Sequence, residues 1–183
     1  MNWRRFSYLE EGTPRQRRAH DTLVDLRLFE HLRRFDPALV STVCVGLDVS
    51  GSDLDVICEV RDPANFRSTV ENLYGNQRRF QVWKRAGEAV VARFETEVFP
   101  VEIFGAEQPV EAQAAWQHLT VMKRLVEIEP RLREKVRERK RAGWGTEPAF
   151  AKLLGLEGDP YEAMLSLKRV PREKLVDLCD GAV

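Results

Sequence analysis

Asp53 and Asp55 stand two residues apart in Gly51-Ser52-Asp53-Leu54-Asp55-Val56. On an extended chain, side chains at i and i+2 point to one face with alpha carbons ~7 Å apart. Two carboxylates held so close repel each other and need solvent or a counter-charge, for which a divalent cation is the usual choice. Glu102 lies within Val101-Glu102-Ile103-Phe104, and an acid among apolar neighbours is costly to bury alone. If its strand runs beside that of Asp53 and Asp55, all three acids share one surface that could hold a metal. The plain alternative is surface charge, which sheet edges carry for solubility.

The elements around these residues read as a mixture of strands and helices. Leu54, Val56, Cys58 and Val60 alternate, the period of a strand with one face in a core. Leu39 to Val45 is apolar and β-branched and reads as a buried strand, and Gly46 to Ser52 as a loop. Thr13-Pro14 starts a helix expected to run to about Arg34, and Asp62-Pro63 starts another ending near Gly75. Phe80–Trp83, Ala89–Phe94 and Val98–Phe104 read as three strands joined by short turns, hence antiparallel, with Pro100 at an edge or bulge. Beyond Gly105 the pattern is helical, roughly 109–127, 130–141, 147–155, 160–168 and 171–179, with Thr146 and Asp159 as caps. The class is α/β (α+β): a mixed sheet flanked by helices, with residues 1–105 as the core and 106–183 as a helical C-terminal subdomain packed on it.

The loop, the Asp-x-Asp pair and the later acid resemble the nucleotidyltransferase superfamily that includes DNA polymerase beta. Its pattern is matched by Val40-Ser41-Thr42, the loop ending Gly51-Ser52, then Asp53-Leu54-Asp55-Val56, then Glu102. Ser41 stands where that family has glycine; serine offers an amide and a hydroxyl. GSDLDVICEV, VEIFG, TEPAFAKLL and GDPYEAML together resemble a small bacterial family of unknown function grouped with the nucleotidyltransferases, across roughly Arg15 to Leu167. The resemblance implies Mg²⁺ or Mn²⁺ on Asp53, Asp55 and Glu102, a nucleoside triphosphate as substrate, and phosphate contacts from Ser41, Thr42 and Ser52. It implies transfer of a nucleoside monophosphate to an acceptor it does not name, whether small molecule, RNA or protein. The alternative is a fold that has lost catalysis and serves as an antitoxin-like binding or regulatory module.

Composition narrows the partners. Lys plus Arg and Asp plus Glu each number 29, so the net charge of zero gives no global attraction to nucleic acid or membrane. Arg131 to Arg141 is locally basic and is the one run that could meet nucleic acid; its plain reading is a solvated helix with internal charge pairs. His118, on an expected helix, reads as a packing residue, because no second ligand stands at metal spacing. MNWRRFSYLEEG has no apolar signal core, no run approaches the ~20 apolar residues of a membrane span, and the three cysteines form no CxxC pair. The expectation is a cytoplasmic protein with reduced, buried thiols.

Overall fold

Three helices begin where the sequence places a cap before proline. In the computed structural model, which describes residues 2–181, Thr13 and Gln16 form a reciprocal capping box at α1 (Pro14–Asp25). Further along, Asp62 accepts from the Asn65 amide at α3 (Pro63–Tyr74), and Asp159 from the amides of Tyr161 and Glu162 at α7 (Pro160–Ser166). Each carboxylate or hydroxyl satisfies an amide that the first helical turn leaves without a partner.

The first helix is shorter than its apolar periodicity suggests. It stops at Asp25, Arg27 adopts a left-handed conformation (φ 47°), and the chain continues as α2 (Leu28–His31) and a 3₁₀ turn at Arg33–Phe35. Leu23, Leu28 and Leu32 are buried on both sides of the break, so the apolar spacing survives the interruption and hides it. The expected strand over 39–45 is likewise reduced to β1 (Ala38–Leu39), followed by a 3₁₀ turn at Thr42–Val45. The Ser41 hydroxyl accepts from the Val43 amide at 3.4 Å, a local side-chain bond that competes with a strand ladder.

Five strands form a mixed sheet in the order β1-β2-β5-β4-β3, with β2 (Leu54–Glu59), β3 (Arg78–Lys84), β4 (Val90–Glu95) and β5 (Pro100–Ala106). β3, β4 and β5 are antiparallel in succession, as their short turns require. β5 then lies parallel to β2 at the centre. Pro100 therefore sits in a central strand rather than at an edge. It is the first residue of that strand, a position where a missing amide is tolerated. One sheet face, with Leu54, Val56, Cys58, Val101, Ile103, Ala92 and Phe94, is buried, as are Phe66, Val70 and Tyr74 of α3. Tyr74 stacks on Phe94 at 5.2 Å. A β-carbon at Gly105 would come within 2.5 Å of the Phe66 ring, so only glycine allows α3 to lie this close to β5.

The chain divides into two compact units, residues 2–44 with 51–113, and residues 45–50 with 114–181. The sheet belongs to the first. The second holds α4 (Ala114–Ile128), α5 (Leu132–Arg141), α6 (Thr146–Leu153), α7 and α8 (Arg172–Asp180). The expected start of α4 near 109 is instead a 3₁₀ turn, Val110–Ala112. At α6 the cap residue is Gly145, and Thr146 is already helical and buried. Within this unit Arg124 donates to the carbonyls of Leu167, Lys168 and Val170 at 3.2, 2.9 and 2.7 Å, tying α4 to the chain that leaves α7. Among the described residues no helix is long and apolar enough to cross a membrane.

Candidate functional site

Asp53 precedes the first residue of β2 and is held there from behind. Gly51 has φ 84°, a left-handed conformation that reverses the loop. Ser41 is completely buried, and its hydroxyl donates to the Asp53 carbonyl at 2.6 Å. Arg15 donates to the Ser52 carbonyl at 3.4 Å while its guanidinium lies 4.5 Å from the centre of the Phe99 ring. Of the three candidate phosphate contacts, Ser41 has thus committed its hydroxyl to the loop that carries Asp53. Thr42 and Ser52 are half-buried at the two ends of the connection.

The strand register gathers the acids. In the parallel β2–β5 pair, Asp55 is the direct partner of Glu102 and Leu54 of Val101. Neighbouring strands lie ~4.8 Å apart, so Asp55 and Glu102 project side by side, with Asp53 one pleat away. The row continues outward: Glu102 faces Arg93 on β4, and Arg93 faces Gln81 on β3. A polar line Asp55–Glu102–Arg93–Gln81 therefore crosses four strands. Beside it runs the more apolar line Ile57–Phe104–Val91–Trp83.

Charge within the line is partly balanced by arginine. An Arg93 guanidinium nitrogen lies 3.9 Å from an Asp53 carboxylate oxygen. Burial raises the Glu102 carboxyl above its ordinary range, and the Asp53 charge adds to the rise; Arg93 and Arg85 pull the other way. All the acidic ligands offered are carboxylate oxygens, the donor type that suits Mg²⁺ or Mn²⁺. A cation beside them would relieve the repulsion that Glu102 feels from Asp53. Among the described residues, however, no three His, Cys, Asp or Glu side chains come together as a group that could hold a metal ion. The backbone brings the three acids to one region of the sheet, and the side chains stop short of converging on one point.

The sequence profile of a domain of unknown function, DUF4269, matches residues 21–167. The chain belongs to the DUF4269 family. No curated protein matches it in sequence. In three dimensions it is similar to the crystal structure of the Cid1 poly(U) polymerase with MgGTP bound, at 18% identity and a TM-score of 0.53, covering 74% of this chain and 46% of that one. The same polymerase with Mg 3′-dATP bound gives 17% identity and a TM-score of 0.53 over 81% of this chain and 46% of the other. The DUF4269 chain thus spans about half the length of these neighbours. The likeness establishes a nucleotidyltransferase-like fold.

Other residues singled out in the sequence fall elsewhere in this DUF4269 fold. His118 is buried in α4, with Nδ1 3.9 Å from a Glu147 oxygen and its ring edge-on to Tyr161 at 6.0 Å. It packs inside the helical unit. In the basic run, the Arg131 guanidinium makes two bonds to Glu129, and Glu134 takes both Arg137 and Arg141. Arg133 donates to the Val45 carbonyl. Much of that positive charge is therefore matched locally. Glu59 shares strand parity with Asp55 but pairs with Arg61 at 3.1 Å. Arg93 was not foreseen. Its only sequence signal is an alternating position in Val90–Glu95, and its meaning depends on its cross-strand neighbour Glu102, one strand away in space.

Proposed function

We propose that this protein is a metal-dependent nucleotidyltransferase in which Asp53, Asp55 and Glu102 hold Mg²⁺ or Mn²⁺ and a nucleoside triphosphate, and the nucleoside monophosphate passes to an acceptor. The observation that carries this reading is the register of β2 and β5, which sets Asp55 directly beside Glu102. Two carboxylates at adjacent positions on central parallel strands weaken the sheet unless a cation is shared between them.

A divalent cation would supply charge neutralisation for the phosphates and lower the pKa of an attacking hydroxyl. The rest is the work of this chain. Asp53 and Asp55 orient the metal-bearing end of the triphosphate, and Ser41 fixes the Asp53 backbone through its hydroxyl. Glu102, whose carboxyl is held above its ordinary range by burial and by Asp53, is suited to accept a proton from the acceptor hydroxyl. Ser52 and Thr42 stand at the loop where phosphate oxygens would meet backbone amides. The reading requires the three carboxylates to turn toward one another on loading, with Arg93 giving up its place beside Asp53.

The test is Mn²⁺ and NTP binding followed by pyrophosphate release. Wild-type protein should bind Mn²⁺–NTP, and Asp53→Asn and Asp55→Asn should each weaken binding by at least about tenfold, as loss of a charged ligand does. Equal affinity in wild type and both variants would remove the assignment. A second reading, a binding module without catalysis, is favoured by Ser41, which stands where the superfamily pattern has glycine and whose hydroxyl is committed to the Asp53 carbonyl. It predicts nucleotide binding with no pyrophosphate released in the presence of any acceptor fraction.

A further inference from the structure

Beyond the carboxylates, the same sheet surface carries a basic and aromatic strip that the proposed chemistry does not use. β3 is an edge strand of the sheet. Its residues Gln81 and Trp83 share one face by alternation, and Arg85 is the next position of the same parity. All three are exposed, Trp83 by 37%, which is unusual for so large an apolar ring on a regular strand. Gln81 is the cross-strand partner of Arg93, and Arg93 of Glu102.

The other cations of this hairpin are already matched. Arg78 and Arg79 both pair with Glu95, and Lys84 pairs with Glu88. Arg85 makes no ion pair among the described residues, yet its charge acts on Glu102 together with that of Arg93. The strip thus consists of one exposed indole flanked by an amide and two guanidinium groups, and it leads straight to the proposed reacting carboxylate. A flat ring to stack on, with cations alongside, is the arrangement that holds unpaired bases and their phosphates.

From these positions the geometry points to a single-stranded nucleic acid as the acceptor, its end nucleotides lying on Gln81, Trp83 and Arg85 with the terminal hydroxyl directed along the Arg93 line toward Glu102. This deepens the proposed function and rests on its carboxylate site. Charge complementarity argues for the occupant: Arg85 supplies the strip's unmatched positive charge, with Arg93, beside Asp53, at its inner end, and the strand backbone is negative. Sheet-edge aromatics bind bases without reading their sequence, so the strip itself sets no base preference.

The experiment is fluorescence anisotropy with a short labelled single-stranded RNA, DNA of the same sequence, and the corresponding duplex, on wild type, Trp83→Ala and Arg85→Glu. Circular dichroism melts check that each variant folds. Wild type should bind a single strand in preference to duplex. Trp83→Ala should weaken binding about tenfold, the usual effect of losing one stacking ring. Arg85→Glu should weaken it further and lower the slope of log K against log salt by about 0.7 or more. RNA-only binding identifies a 2′-hydroxyl contact, and equal binding of RNA and DNA identifies backbone and ring contacts alone; both uphold the strip. Absence of single-strand binding, preference for duplex, or affinity unchanged in both variants overturns it. Mn²⁺–NTP binding, measured in parallel, keeps the two ideas apart. If nucleotide binding holds and strand binding fails, only the acceptor assignment falls. If the reverse occurs, the strip stands and the carboxylate reading falls.

Discussion

Glu102 is the residue on which stability and the proposed chemistry pull in opposite directions. Its carboxyl is raised by burial first and by the Asp53 charge second, so folding works against its ionised form. A carboxyl whose folded pKa exceeds its unfolded one contributes stability that is complete below the unfolded value and lost as pH rises through the folded one. At neutral pH, Glu102→Gln should therefore raise the thermal midpoint. Partial exposure keeps the gain to about two degrees. The same substitution should weaken Mn²⁺ binding. A melt and a Mn²⁺ titration on one sample check both halves, and a midpoint lowered at neutral pH would contradict the electrostatic account. The parity of Asp53, Asp55 and Glu102 was legible in the sequence, because alternation within each strand needs no partner. That Asp55 lies opposite Glu102 was not, because β2 and β5 are far apart in the chain and pair through a strand order that local pattern does not encode; that Glu102 lies opposite Arg93 was not, because it depends on the exact register across the short β4–β5 turn.

At the scale of elements, the sequence was most informative where a side chain acts on its own backbone. Thr13-Pro14, Asp62-Pro63 and Asp159-Pro160 all mark true helix starts, since capping is satisfied within three residues. It was least informative where a left-handed residue carries no glycine signal, as at Arg27, and where a hydroxyl turned a β-branched run, as at Ser41. The link that Arg124 makes to Leu167, Lys168 and Val170 is equally invisible in sequence, and it predicts a measurable effect. These carbonyls lie just beyond the end of α7, where a helix leaves acceptors short of donors, although that of Leu167 also accepts the Val170 amide. Hydrogen bonds from a charged group contribute ~1.5–3 kcal/mol. Arg124→Ala should lower stability by about 2 kcal/mol, or roughly 4–8 °C in a chain of this size. Arg124→Met, which retains much of the aliphatic stem, should lose nearly as much if the carbonyl bonds matter. Recovery of most of the loss by methionine would instead assign the effect to packing.

For the whole molecule, acid response separates the two units, because the half-buried Glu102 of the sheet unit and the buried His118 of the helical unit shift in opposite directions. In the helical unit, burial lowers the His118 pKa below its ordinary 6.5, with Glu147 and then Glu162 opposing the shift. Below 6.5 the unfolded chain takes up a proton that folded His118 resists, so stability present above that value is lost as pH falls toward the folded pKa. Glu102 in the sheet unit acts in reverse and gains with acidification. The carboxylates held down by cations, such as Glu129 at about 2 beside Arg131, matter only at lower pH. Between 6.5 and the carboxylate range, then, the fall in melting temperature should come from His118. His118→Gln, which keeps a polar side chain that does not titrate, should flatten that slope while leaving the Glu102 contribution in place. Histidine ring shifts followed by NMR over the same window give the folded pKa directly. A value at or above 6.5 would mean that the Glu147 carboxylate, 3.9 Å away, outweighs burial. The predicted slope would then reverse, because a protonated His118 would be stabilised by folding rather than resisted.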